Sequence, residues 1–361
     1  MERKESNTGI LNLLVQPAFT VQDGVIVQLN EAAQKAMLAP GMQISDILVT
    51  GDQEYKDFRD GCLYLTLTVA DRPCSATVHR MDGFDLFTVE QDTEQAELQA
   101  MALAAQELRL PLSNVMAVAD QLFPVADQGD NPVVQEQISR INRGLFQMLR
   151  MISNMSDAYQ YSRPAAGKFT VQDITNILGE IFSESAQLLE HGSIKLHFTN
   201  LNRSILCLID REKLERGVHN IISNAVKFSE KGSDIYAQLT CSGQMLYLTI
   251  RDSGSGIQQE HRGNIHNRFR RVPGLEDSRF GIGLGMLMIH AAAAAHGGTV
   301  LIDHPEGCGT RITMTLQLRQ ENGDFVKTTA MPVDYAGERS HSLIELSDVL
   351  PAELYQASNI N

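Results

Sequence analysis

Basic charge, paired cysteines and long apolar runs are all scarce in this chain of 361 residues. Only 30 Lys and Arg stand against 44 Asp and Glu, for a formal net charge of -14. That balance disfavours nonspecific attraction to nucleic acid or to an anionic membrane surface. The cysteines, Cys62, Cys74, Cys207, Cys241 and Cys308, are odd in number, scattered, and form no C-x-x-C pair. They suggest neither a disulfide framework nor a zinc site, and fit thiols in a reducing compartment. No segment approaches the ~20 apolar residues of a membrane span. The richest run, Met286 to Ala295, is short and broken by His290. No N-terminal stretch joins a basic head to a long apolar run. The expectation is a soluble cytoplasmic protein with no membrane span and no nucleic-acid partner. Histidine is missing over one long interval too, with none between His79 and His191.

What is present changes character along the chain. Phe19 to Leu29 reads as two short strands around Gln22-Asp23-Gly24, because Asp-Gly between β-branched runs is a hairpin signal. Asn30 is placed to cap a helix favoured by the alanines after it. Cys62 to Ala70, Ala76 to Met81 and Leu86 to Glu90 alternate as strands do, with a turn at Met81-Asp82-Gly83. This order of hairpin, small helices and three strands resembles a PAS sensor domain; a small α+β domain without a ligand is the alternative. The flavin-type Gly-Asn-Cys-Arg motif is missing, and the sole histidine, His79, lies in a predicted strand, which argues against haem.

From Asp92 the period becomes helical. Leu98, Met101, Ala105, Leu108, Leu112, Val115, Ala119 and Leu122 step by three and four, the a/d seam of a coiled coil. A second seam runs through Val134, Ile138, Ile141, Leu145, Met148, Ile152, Met155 and Tyr159, and Pro124 to Pro132 reads as the loop between them. A lone hairpin cannot bury both seams, so a homodimeric four-helix bundle is the natural solution; a monomeric hairpin folded against other domains is the alternative. Arg163 to Gly167 reads as a linker, and Lys168 to about Leu318 as an α/β domain. The acidic tail from Glu321 contains one ordered-looking piece, where Leu343, Leu346 and Leu350 can form an apolar face before Pro351. That face suits a docking peptide for this or another protein, against a disordered tail.

Three clusters in the α/β segment carry chemistry. Asn220, Asn224 and Lys227 fall three or four residues apart on a helix starting near Asp210, so they share a face suited to Mg2+ and a polyphosphate. Asp252-Ser-Gly254-Ser-Gly256 follows the strand Leu246 to Ile250. A carboxylate there can accept a hydrogen bond from an exocyclic amine, and the glycines let backbone pass close to a flat ring. Gly281-Ile-Gly283-Leu-Gly285 opens a helix through Ala295, where free N–H groups favour phosphate.

In this order the clusters resemble the N box and glycine boxes of the histidine-kinase ATP-binding domain, in the GHKL superfamily with gyrase, a heat-shock chaperone and the MutL repair proteins. Ile265 to Arg271 resembles the F box, and His296-Gly297-Gly298 with Gly307-Cys-Gly309-Thr310 closes the pattern. The resemblance implies that Asn224, with Asn220, holds Mg2+ through ATP and that Lys227 and Arg271 reach phosphates. It further implies that Asp252 reads the adenine amine, that Gly254, Gly256, Gly281, Gly283 and Gly285 shape the pocket, and that Val272 to Phe280 forms a lid. Gyrase-like ATPases place a water-activating glutamate where this chain has Asn220, which is no general base. Phosphoryl transfer or simple binding is thereby favoured over hydrolysis.

Gln106-Glu107-Leu108-Arg109-Leu110-Pro111-Leu112 resembles the H box, His-Glu-Leu-Arg-Thr-Pro-Leu, whose first residue takes the phosphate. Here Gln106 occupies the acceptor position, at a heptad site facing solvent. An imidazole nitrogen has a lone pair able to attack phosphorus, whereas the amide nitrogen's is delocalised into its carbonyl. Leu110 departs again, from the Thr or Asn that positions water in the phosphatase branch. Leu103 and Leu110 flank Gln106 as an exposed apolar strip, expected either to dock the ATP-binding domain or a partner, or to have no function.

The resemblance implies a multidomain α+β chain: a PAS-like sensor domain (1–91), a dimerisation hairpin (92–163), an α/β sandwich ATP-binding domain (164–320) and an acidic tail (321–361). Three functions are compatible with it. One is a sensor histidine kinase-like protein that binds ATP and Mg2+ but is impaired in autophosphorylation, a pseudokinase working with a response regulator or partner kinase. The second is an active kinase acting in trans on a partner's His or Ser/Thr. The third is a non-catalytic dimeric scaffold.

Overall fold

The computed structural model describes residues 11, 14–81, 83–89, 92–127, 131–161, 168–254, 284–305, 309–319 and 339–356. It begins with the hairpin β1 (Ala18–Gln22) and β2 (Val25–Leu29). Asp23 and Gly24 both take positive φ (51° and 78°), as a tight two-residue turn demands. Asn30 then caps α1 (Glu31–Lys35): its Oδ1 accepts from Ala33 N at 2.9 Å and from Ala18 N at 3.0 Å, tying the helix to the sheet. After α2 (Ile44–Ile47), β3 (Leu48–Thr50) and α3 (Asp52–Asp57) come the antiparallel strands β4 (Cys62–Val69), β5 (Arg72–Met81) and β6 (Phe84–Val89). β5 starts before the expected Ala76 because Ala70 and Asp71 turn at positive φ, bringing Arg72 opposite Val69. No glycine announced that turn.

The helical hairpin is α4 (Asp92–Asp127) and α5 (Pro132–Tyr161). The loop expected from Pro124 is corrected, since α4 runs through Pro124 to Asp127. Phe123 packs on the main core beside it. That packing opposes the helix-breaking effect of an interior proline, worth about 3 kcal/mol. Each seam divides in two. Leu98, Ala105, Leu112 and Ala119 on α4 and Ile138, Leu145 and Ile152 on α5 are buried. The alternate row, Leu108, Val115 and Leu122 with Ile141 and Met148, remains exposed.

Next come β7 (Thr170–Asp173), α6 (Ile174–Glu190), β8 (Lys195–Thr199), β9 (Leu206–Ile209), α7 (Arg211–Phe228), β10 (Asp234–Ser242) and β11 (Met245–Arg251). α8 (Gly285–Ala295), β12 (Val300–Asp303) and β13 (Arg311–Gln317) complete this part. The strands run β12-β13-β11-β10-β8 with the long helices packed against them, a mixed α+β two-layer arrangement. The two parts, read from sequence as separate, share one sheet through β4 and β12, which pair Tyr64 with Val300 and Cys62 with Ile302. Gly61 permits the joint: its φ is +95°, and a Cβ there would lie 2.0 Å from the Ile302 carbonyl oxygen. The linker read at Arg163 to Gly167 and the turn residue Asp82 lie outside the described residues.

The last described element group is α9 (His341–Glu345), followed by turns and a 3-10 turn at Ala352–Tyr355. It seats against α5, α6 and α7. Leu343, Ile344, Leu346, Leu350 and Tyr355 are all buried in the main core. Tyr355 meets Phe146 edge to face at 5.2 Å and donates its hydroxyl to the Leu343 carbonyl at 2.7 Å.

Candidate functional site

α7 is the spine of the site. Asp210 caps it, with Oδ1 accepting from Lys213 N at 3.3 Å. Gly217 lets α8 approach closely, since a Cβ there would come within 2.6 Å of Ala292 Cβ. The approach brings Gly285, first residue of α8, over the polar face of α7. A Cβ on Gly285 would lie 3.1 Å from Asn220 Oδ1 and 4.0 Å from Asn224 Nδ2, so the bare glycine keeps that space open. Asn220 is buried and donates Nδ2 to the Arg216 carbonyl at 2.8 Å.

Asp252 ends β11 nearby. Its Oδ1 accepts from Gly254 N at 2.9 Å and from Thr310 N at 3.0 Å, and a Cβ on Gly309 would fall 2.0 Å from that oxygen. Gly254 in turn abuts the last carbonyl of α7, since a Cβ on it would sit 2.0 Å from the Phe228 oxygen. The close approach fixes the Asp252 turn beside Lys227 and Phe228. Burial pushes the Asp252 carboxyl above its ordinary range, and the Thr310 and Gly254 N–H bonds oppose that only in part.

Of the residues singled out from sequence, the structure brings together Asn220, Asn224, Lys227, Asp252, Gly254 and Gly285. Gly256, Arg271, Gly281 and Gly283, with the F box and the expected lid, lie outside the described residues. Gln106 and Glu107 face solvent on α4, apart from this group, between the exposed Leu103 and Leu110 (58% and 69% accessible). α8 packs instead near the start of the hairpin, placing Leu284, Leu287 and Met288 against Leu98, Met101 and Ala158.

Sequence reasoning missed an ion-pair cluster adjoining the site. Arg150 of α5 reaches in three directions: Nε to Glu345 Oε2 at 3.3 Å, Nη1 to Asp348 Oδ2 at 2.6 Å and Nη2 to Asn220 Oδ1 at 3.2 Å. Lys227 Nζ lies 2.9 Å from the same Asp348 oxygen. Arg216 pairs with Asp157 and, at 3.3 Å, with Glu345. Burial pushes the Asp348 carboxyl up, but Arg150 and Lys227 together hold it below the usual range. Lys227 is depressed as well, because it is the more enclosed partner and Arg150 repels it. A signal existed: Phe146 and Leu149 are apolar positions off the seam of α5, and both are buried. They mark a third covered face, on which Arg143 and Arg150 sit.

Residues 209–320 match the protein family described as Histidine kinase-, DNA gyrase B-, and HSP90-like ATPase. The chain carries an ATPase domain of this type. Histidine kinase P4 of Formosa agariphila is 28% identical over 236 residues, 63% of this chain and 17% of that protein. Sensor histidine kinase WalK of Bacillus subtilis is 27% identical over 247 residues, 66% of this chain and 39% of that one. Among solved structures, full-length ShkA in complex with AMPPNP aligns with a TM-score of 0.49 at 17% identity, over 62% of this chain and 46% of that chain. The chain is similar to these histidine kinases and spans less than half the length of each. Among the described residues no helix is long and apolar enough to cross a membrane, and no group of three or more His, Cys, Asp or Glu is arranged to hold a metal.

Proposed function

We propose that the protein is a nucleotide-responsive relative of sensor histidine kinases that binds Mg-ATP and does not phosphorylate its own hairpin. The observation that carries this reading is Gln106, solvent-facing on α4 where the H-box resemblance would set the acceptor, while the polar face of α7 stays intact. An amide cannot serve as the nucleophile that an imidazole is. The chemistry of the site fits a magnesium-bound polyphosphate. Asn224 offers an amide oxygen to the ion, Lys227 a cation to phosphate, Asp252 an acceptor for the adenine amine, and Gly285 the room above Asn220. Asn220 fits less well as a metal ligand, because its oxygen already accepts from Arg150.

Two further features support the assembly. The strand order β2-β1-β6-β5-β4, with short helices between β2 and β4, agrees with a PAS-like input domain. The unburied half of each seam agrees with a homodimeric four-helix bundle. A second reading, phosphoryl transfer in trans to a partner kinase or another partner protein, is supported by the same intact α7 face; a response regulator is the remaining partner class.

The test incubates pure protein with γ-labelled ATP and Mg2+, alone and with candidate partners. We expect no acid-labile label on the chain alone, and such label on the Gln106→His variant. Acid-labile label on the unaltered chain sinks the reading. Ligand at a hundred times its dissociation constant adds about 2.7 kcal/mol; no change in melting at millimolar Mg-ATP would count for the scaffold.

A further inference from the structure

The segment 339–356 holds the cation that the nucleotide reading assigns to phosphate. We propose that it is an intramolecular strap, which the phosphates of a bound Mg-nucleotide displace from Lys227 and Arg150. The proposal rests on the nucleotide reading above.

One oxygen of Asp348 is shared between Lys227 Nζ at 2.9 Å and Arg150 Nη1 at 2.6 Å. Glu345, 1% exposed, is held between Arg150 and Arg216. Arg143 Nε and Nη2 donate to the carbonyls of Ser347 and Asp348, both at 3.1 Å, and Gln147 Nε2 donates to Ser347 O at 3.2 Å. The strap thus bridges α5, a hairpin helix, to α7, the helix of the nucleotide site. Arg150 completes the bridge on its third side, where it takes the oxygen of Asn220.

Charge makes the contact exchangeable. Arg216 keeps Asp157 if the strap leaves, but Arg150 and Lys227, 6% and 12% exposed, would lose their carboxylates. A buried charge without a partner is strongly unfavourable. Departure is therefore opposed until another anion arrives. Phosphate supplies several strong acceptors for an ammonium and for a guanidinium fork. The strap is also anchored unevenly. Leu343, Ile344, Leu346 and Tyr355 are sealed in the core, whereas the Asp348 side chain is 28% exposed, the point at which an incoming phosphate first competes. Exchange at that point takes Asp348 from both cations, leaves Arg150 held to the strap through Glu345 alone, and so loosens α5 from α7. Nucleotide occupancy is then felt in the hairpin without any phosphorylation of Gln106.

The test uses the full chain, isothermal titration with Mg-ATP, and hydrogen exchange at the amides of Leu346 and Leu350, which are bonded to the carbonyls of Ser342 and Leu346. Asp348→Asn weakens the shared ion pair; Arg143→Gln weakens the backbone anchor and leaves Lys227, Arg150 and Asp252 in place. A strap docked in nine molecules of ten lowers apparent affinity about tenfold, so both variants should bind Mg-ATP up to about tenfold more tightly. Saturating Mg-ATP should also speed exchange at both amides in the unaltered chain. If that chain binds Mg-ATP while both amides stay as protected as before and both variants keep its affinity within twofold, the strap is overturned. Binding by the variants alone supports a strap that is fully closed. No binding by any form overturns the nucleotide reading itself, and the exchange with it.

Discussion

Replacing Arg150 by Met keeps most of the side-chain volume and removes the charge at the centre of the cluster. Removing one partner of a buried ion pair ordinarily costs 3–5 kcal/mol, because the other charge is left uncompensated (~4 at the midpoint). Here each carboxylate keeps a second cation: Asp348 retains Lys227 at 2.9 Å, and Glu345 retains Arg216 at 3.3 Å. The Asn220 oxygen loses a donor but faces the open space over Gly285. The low end of the range therefore applies, about 3 kcal/mol. That loss falls on strap docking rather than on the whole chain, so it is read by hydrogen exchange at Leu346 and Leu350 without nucleotide. That exceeds the docking free energy of a strap closed in nine molecules of ten, about 1.3 kcal/mol, so exchange there should quicken to the ceiling of about tenfold, while amides of β10 and β11 stay unchanged. Arg150→Lys should fall between, since an ammonium cannot serve Glu345, Asp348 and Asn220 together. An increase below about threefold in Arg150→Met would refute the account of how the segment is held.

Gly61→Ala should open the joint between β4 and β12, because its Cβ would lie 2.0 Å from the Ile302 oxygen at a φ of +95°. A local cost above about 1 kcal/mol follows, visible as faster exchange in Val300 to Ile302, and unchanged protection there would count against the joint. His296 Nε2 accepts from the Asp210 amide at 3.1 Å, and Nδ1 donates to the Ala292 carbonyl at 2.7 Å, so the ring must be neutral. Burial holds its pKa below the ordinary histidine value, against the Ala292 bond and Asp210. Its contribution to stability is thus fully present above the unfolded pKa of about 6.5 and lost as pH falls through the folded one. His296→Phe should cost about 1–3 kcal/mol at neutral pH and flatten the decline in melting temperature on acidification; an unchanged slope would exclude His296 as its source. Leu108→Asp and Val115→Asp alter the exposed row of α4. On the proposed homodimeric reading each should convert dimer to monomer in sedimentation, and a dimer of unaltered affinity would show that this row is not the interface.

Periodicity made the helices and strands legible, because which residues face inward is written in local spacing. The α7 face, the Asn30 cap and the two seams are of that kind. Pro124 misled because tertiary packing of Phe123 outweighs a local breaker. The β4–β12 pairing was invisible for another reason: both strands are plausible edges, and nothing local names the partner. Arg150 shows the limit most plainly. Its contact with Asp348 spans 198 positions, and its contact with Asn220 spans 70. From sequence Asn220 is a metal-binding candidate; the guanidinium that occupies its oxygen is placed only by the packing of α5 against α7.

On the proposed reading, the acidic tail and the glutamine at position 106 bear on one another. A kinase that phosphorylates its own hairpin needs an ATPase domain free to reach the acceptor and withdraw. An ion-paired segment spanning α5 and α7 opposes that freedom, since moving the helices apart strands Arg150 and Lys227. Without an imidazole at position 106 the excursion has no chemical purpose, and the constraint on tying the two parts together is lifted. Such a tie can then carry information. The carboxylates that hold it, Glu345 and Asp348, offer to Arg150 and Lys227 the same charge that nucleotide phosphates would offer in their place. On the proposed reading, the loss of one nucleophile and the gain of a docked acidic segment are parts of a single change, from transferring a phosphoryl group to sensing one.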